Sequence, residues 1–165
     1  MTLGADTLLT GQEIRLAAVD SAGLNRSLTV TAGTGGLSRF GGPTGSTMAL
    51  RQLIVNGGGH TEVAGDITTD GGGISFGNNV RGDGTAVVYG DTGIVFEAAL
   101  DGMGGSSNLT LLVDQSVVAT VQSPSVPKII FKANVGATSA LDSLTLGGNT
   151  GGLIPLVATI GADLA

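Results

Sequence analysis

Short runs of β-branched and aliphatic residues, each closed by a glycine-containing turn, recur along the whole chain and leave no room for a long helix. The runs are Glu13–Val19, Ser27–Thr31, Leu50–Val55, Gly73–Phe76, Thr85–Tyr89, Gly93–Phe96, Leu109–Val113, Val117–Val121, Lys128–Phe131 and Leu141–Leu146. Bounded runs of this kind read as strands. Many alternate with period two: Leu28 and Val30 are apolar, while Ser27, Thr29 and Thr31 are not. That pattern buries one face and leaves hydroxyls on the other. Asn56-Gly57, Asp70-Gly71, Asp83-Gly84 and Asp101-Gly102 favour tight bends with positive φ. The best helical candidate, Phe96–Leu100, is followed at once by Gly102, Gly104 and Gly105.

The phrases repeat. Residues 40–55 match residues 131–146 without a gap, pairing Phe40 with Phe131 and Gly45 with Gly136. The same offset pairs Thr47 with Thr138, Ala49 with Ala140, Leu50 with Leu141 and Leu53 with Leu144. A strand-turn-strand phrase ending in Phe recurs at Tyr89–Phe96, which marks Phe as an internal stacker. The ends echo each other as well: Leu3-Gly4-Ala5-Asp6 returns as Ile160-Gly161-Ala162-Asp163.

Glycine supplies 30 of the 165 residues, against a usual share of about 7%. Aromatics are 3% and the apolar fraction is 41%. Small aliphatics and glycine fill a narrow core, which favours a coiled β architecture over a sandwich with its two-residue hairpins and larger core aromatics. Strand-turn-strand units stacked on copies of themselves give a parallel β-solenoid with a rise of about 4.8 Å per coil. At roughly 20 residues per coil, residues 1–165 form one module of about eight coils, a rod on the order of 40 Å long. The end coils of such a rod expose unpaired backbone groups and an apolar cross-section. Neither terminus reads as a cap, so the chain is expected to stack end to end or to belong to a longer polypeptide.

Charge and composition narrow the partners. The net charge is −6, from 7 basic and 13 acidic residues, with no basic cluster to hold nucleic acid or an anionic membrane. With no cysteine, disulfides and cysteine-based zinc sites are out of reach. The N-terminus lacks a basic start followed by an apolar run, and no apolar stretch reaches the length of a transmembrane helix.

Several phrases resemble those of large bacterial β-strand-repeat surface proteins. They are Leu3–Gly11, Ser27–Gly35, Ala64–Phe76 and Ala140–Leu146. The style is similar to filamentous-haemagglutinin-type adhesins and autotransporter passengers. Gln115–Val126 and the region of Pro155 depart from it. The resemblance implies a right-handed parallel β-helix, export to the bacterial cell surface or exterior, and an adhesive or scaffolding role. It carries no catalytic residues with it.

The individual side chains point the same way. His60, the only histidine, lies in a Gly57-Gly58-Gly59 turn and reads as an exposed turn residue; a Ser/His/Asp relay would have to use it with Asp66 or Asp70. Two-histidine zinc spacing is impossible. Parallel β-helix enzymes that act on polysaccharides use clustered carboxylates or a basic residue. Here the candidate acids are Asp66, Asp70, Asp83, Asp91 and Glu97. Four of them, Asp66, Asp70, Asp83 and Asp91, could also contribute hard oxygens to calcium, although turn aspartates ordinarily cap their own backbone. Arg81-Gly82-Asp83 matches a three-residue integrin-binding sequence and is also an ordinary tight turn. Asn25-Arg26-Ser27 and Asn108-Leu109-Thr110 fit the glycosylation triplet.

These readings combine into one expectation: no enzyme, no catalytic, cofactor or metal residue, and a structural module of a secreted or surface fibre. Its partners are other copies, neighbouring repeats, or a host or matrix surface. The alternative is a parallel β-helix that acts on or binds polysaccharide.

Overall fold

The computed structural model describes residues 1–104, 106–114 and 128–148, together with the backbone of 158–160. Among these residues every element is a strand and every pairing is parallel. The first turn of chain holds β1 (Thr2–Leu3) and β2 (Thr7–Leu16), and the second holds β3 (Asp20–Ser21) and β4 (Ser27–Phe40). Then come β5 (Gln52–Gly57), β6 (His60–Val63) and β7 (Ile67–Thr69). The next turn is β8 (Ile74–Phe76), β9 (Asn79–Gly82) and β10 (Thr85–Gly90). After it lie β11 (Gly93–Phe96), β12 (Leu100–Gly102) and β13 (Asn108–Val113). β14 (Lys128–Phe131), β15 (Ser143–Gly148) and β16 (Ala158–Ile160) complete the set.

Each strand pairs with its counterpart one turn away, which makes the chain a β-solenoid with three faces. On the first face β5, β8, β11, β14 and β16 follow the N-terminal halves of β2 and β4. The second face stacks the C-terminal halves of β2 and β4 with β6, β9 and β12. The third stacks β7, β10, β13 and β15, extended upward by bridges through Thr44 and Val19. β2 and β4 each run through the corner between the first two faces, where their register shifts between Gly11 and Glu13.

In-register stacking places the same kind of side chain above itself on successive turns. Leu28, Leu53, Ile74, Ile94 and Ile129 form one buried column. Val30, Val55, Phe76, Phe96 and Phe131 form the next. Burial of each such aliphatic side chain contributes about 1.5–3 kcal/mol before chain entropy is set against it. The phenyl rings stack: centroids are 5.2 Å apart for Phe76 and Phe96, and 5.1 Å for Phe96 and Phe131. Phe40 is equally buried but belongs to the second face, above Val63.

The expectation of about eight coils assumes one period throughout. The upper turns do take roughly 20–25 residues, as Leu28, Leu53, Ile74 and Ile94 show. A longer step follows, from Ile94 to Ile129, Leu100 to Val135 and Leu111 to Leu146. The step is the same on all three faces, so the extra length enters at one place, between β13 and β14. The described residues therefore complete about five turns. The expected strand Val117–Val121 and the echo at Gly161–Asp163 lie outside the described residues.

Several short strands went unread in the sequence: β6, β7, β9 and β12 carry polar residues or glycine and are strands because neighbouring turns pair with them on both sides. The matched stretches 40–55 and 131–146 share a left-handed glycine, at Gly45 and Gly136, but not their position in the fold. Phe40 ends a second-face strand, whereas Phe131 ends a first-face strand. Gly57, Gly71 and Gly84 have positive φ, as their turn dipeptides require. Gly102 does not: it lies in β12, where an added Cβ would run into the backbone oxygen of Ala140.

Candidate functional surfaces

The richest side-chain chemistry lies on the outside of the second face. Alternation along a strand turns Ser38 and Phe40 inward and Arg39 outward, and likewise turns Thr61 and Val63 inward and Glu62 outward. Parallel register then aligns Arg15, Arg39, Glu62, Arg81 and Asp101 in one outer column. Glu13, Leu37, His60 and Asn79 form the column beside it.

Arg39 is the centre of this surface. Its Nη1 donates to Glu62 Oε2 at 2.5 Å and its Nη2 to Asp83 Oδ2 at 2.7 Å, so one guanidinium joins three successive turns. Hydrogen bonds to Glu62 and then Asp83 make the guanidinium hold its proton more tightly, against a smaller opposing effect of burial. Burial pushes the Glu62 carboxyl up, but hydrogen bonds from Arg39 and His60 outweigh it and hold the group below its ordinary range. Arg15 pairs with Glu13 on its own strand.

His60 is not a turn residue. It opens β6, points outward and lies half-buried with Nε2 3.4 Å from Glu62 Oε1. Among the described residues no serine or threonine hydroxyl hydrogen-bonds to its ring, and neither Asp66 nor Asp70 reaches it.

The five candidate acids are dispersed and each is engaged. Asp66 Oδ1 accepts the backbone N–H of Val87, and Asp91 Oδ2 accepts that of Gly71. Asp70 accepts from the Asn25 amide, Asp83 is bound to Arg39, and Glu97 pairs with Lys132. The turn aspartates Asp66 and Asp91 thus do not cap their own backbone; their partners lie one turn away. Local sequence could not reveal this, because those partners are 21 and 20 residues distant. Among the described residues no group of three or more histidine, aspartate or glutamate side chains is placed to hold a metal ion. Within Arg81-Gly82-Asp83, Arg81 is exposed, Gly82 is buried and the Asp83 carboxylate is committed to Arg39. Asn25 donates to Asp70, and Asn108 lies in β13 with its side-chain oxygen accepting from the Ser143 hydroxyl.

Arg39 and Glu62 escaped the sequence reading. Register between Arg39, Glu62 and Arg81 would have exposed them, but the turn length varies and neither residue belongs to a recognisable motif. Two of the shallow depressions on the described surface hold a basic side chain. One of about 310 Å³ lies on the first face among Gln52, Ser75, Thr92, Val95, Lys128 and Ile130. The other, about 190 Å³, lies beside Arg81, Asp101, Met103, Thr138 and Ser139. Both are open and neither brings two carboxylates together. Among the described residues no helix is long and apolar enough to cross a membrane. Comparison with protein-family models, curated proteins and solved structures finds no match.

Proposed function

We propose that this chain is a structural module of a bacterial surface or extracellular fibre or adhesin, wound as a right-handed β-helix, whose role is mechanical and interfacial. The observation that carries the reading is the parallel pairing of successive turns among the described residues, filled by stacked aliphatic columns and three stacked phenyl rings. Such cooperative pairing resists unfolding and proteolysis. The first turn supports end-to-end contact: Leu9, Ile14 and Leu16 face inward but are only partly covered, and Leu8 is 64% exposed. A second copy, or a neighbouring repeat of a longer polypeptide, would complete that end by strand addition. Negative-stain images of concentrated protein, followed by fibre diffraction, test this. Rods with a reflection near 4.8 Å along the axis are expected; uniformly monomeric particles at high concentration would sink the end-to-end version.

The second reading is a polysaccharide-binding or polysaccharide-active β-helix. It is favoured by the first-face depression, whose lining includes Gln52, Ser75, Thr92 and Lys128 beside Val95 and Ile130. Binding and turnover assays on acidic polysaccharides decide it. Binding lost on Lys128→Ala supports the module as a glycan binder, and turnover lost on Asp83→Asn or Asp91→Asn supports an enzyme.

A further inference from the structure

Two corners of the solenoid are built alike. At the first, Asp20 Oδ1 accepts the backbone N–H groups of Thr47 at 2.9 Å and Met48 at 3.4 Å. At the second, Asp101 Oδ1 accepts those of Thr138 at 3.0 Å and Ser139 at 3.5 Å. The backbone around each carboxylate repeats as well. Gly45 N–H donates to Val19 O, and Gly136 N–H to Leu100 O. Ser21 N–H donates to Met48 O, and Gly102 N–H to Ser139 O. Arg51 N–H donates to Arg26 O, and Asp142 N–H to Ser107 O. The left-handed glycines correspond too: Gly23 with Gly104 at φ 72° and 80°, Gly45 with Gly136 at 76° and 73°.

The offset between copies is 81 residues in the upper layer (Asp20 to Asp101) and 91 in the lower (Phe40 to Phe131). The difference falls in the longer connection between Val113 and Phe131. The copies also occupy different faces. Val19 belongs to the third face and Leu100 to the second; Ser27–Ala32 lies on the first face and Asn108–Val113 on the third. Hydrogen bonds this similar, in two settings with different neighbours, are a property of the two-turn phrase itself.

We infer that Asp20 and Asp101 are the bolts of one transferable corner lock, a two-turn unit used twice and displaced by one face, which fixes the loop that leads the chain into its next turn. The carboxylate suits this role because one oxygen accepts two adjacent N–H groups that the loop, bent by its left-handed glycine, cannot pair within its own turn. The lock is local, so each bolt secures its own loop and not the other.

Amide hydrogen exchange followed by NMR tests the inference. Asp20→Ala should speed exchange at Thr47 and Met48 by about tenfold or more, the loss of hydrogen bonds to a charged acceptor, and leave Thr138 and Ser139 unchanged. Asp101→Ala should do the reverse. Asp→Asn, which keeps a carbonyl acceptor, should restore most of the protection at each site. Transferability has its own test: Ser46→Ala with Met48→Ser gives loop 45–50 the sequence of loop 136–141 and should leave both the midpoint of unfolding and the exchange at residue 47 unchanged. Folded alanine variants with unaltered exchange, or a single variant that opens both loops, would overturn the lock. Should the alanine variants fail to fold, the asparagine variants and the loop exchange still decide: exchange at residue 47 that rises severalfold in the swapped loop would refute a shared unit.

Discussion

Phe76 and Phe96 occupy the same place on successive turns, in register on β8 and β11, with their rings 5.2 Å apart and inclined by 21°. Phe131 continues the stack from the other side of Phe96. Phe96 therefore has an aromatic neighbour above and below. Phe96→Ala should destabilise the fold by about 3–5 kcal/mol, and Phe96→Leu by less, because it keeps most of the volume. Urea unfolding followed by circular dichroism measures both; a loss below about 1 kcal/mol for Phe96→Ala would show that the column does not hold the turns together.

Glycines here act in different ways, and three alanine substitutions separate them. At Gly57, φ is 121° and an added Cβ would overlap the backbone oxygen of Ala32 on the turn above. Strain and collision together should exceed about 2 kcal/mol. At Gly71, φ is 96° but the space is open, so backbone strain alone, about 1–2 kcal/mol, is expected. Gly4 has neither constraint and its substitution should be neutral or slightly stabilising. Thermal midpoints of the three variants should fall in that order.

Arg39 and Lys132 both sit in ion pairs, but only Arg39 joins three turns. Arg39→Ala leaves Glu62, whose side chain is 11% exposed, without its cation, and should destabilise by about 1–2 kcal/mol. Arg39→Lys should recover only part, since an ammonium lacks the fork that reaches two carboxylates. Lys132→Ala removes a pair whose members are 53% and 41% exposed, and should change stability by less than about 0.5 kcal/mol. Chemical denaturation of the three variants gives the comparison, and equal losses at the two sites would contradict it.

Glu62 makes part of the stability depend on pH. Burial raises its pKa, and the hydrogen bonds from Arg39 and His60 lower it by more, so the folded value lies below the unfolded one. A carboxyl of this kind adds stability above the unfolded value, about 4.3, and that contribution disappears as pH falls through the lowered folded value. Glu62→Gln should therefore be less stable than wild type at pH 7, with the gap closing below about pH 4. Thermal unfolding of both proteins across this range checks the sign; a gap that widens in acid would reverse it.

Much of the fold could be read before any coordinates. Period-two runs such as Ser27–Thr31, glycine turns at Gly57, Gly71 and Gly84, and the dearth of aromatic side chains confine the chain to thin, coiled β structure. These are local facts: backbone preference and the size of side chains act within a few residues. The surface chemistry was not legible in the same way. Arg39 meets Glu62 and Asp83 at separations of 23 and 44 residues, and Asp101 meets Thr138 at 37. Such distances depend on the length of every intervening turn, and the longer connection between β13 and β14 adds to the last of them.

The amino-acid order by itself determined that strands would form, that they would be short, and that their inward faces would be aliphatic. Only the tertiary structure decided which residue stands above which: Phe96 over Phe131 and not Phe40, His60 beside Glu62 and not in a turn, and repeated phrases on different faces. Register is a sum over whole turns of the solenoid, and no local preference of the chain encodes that sum.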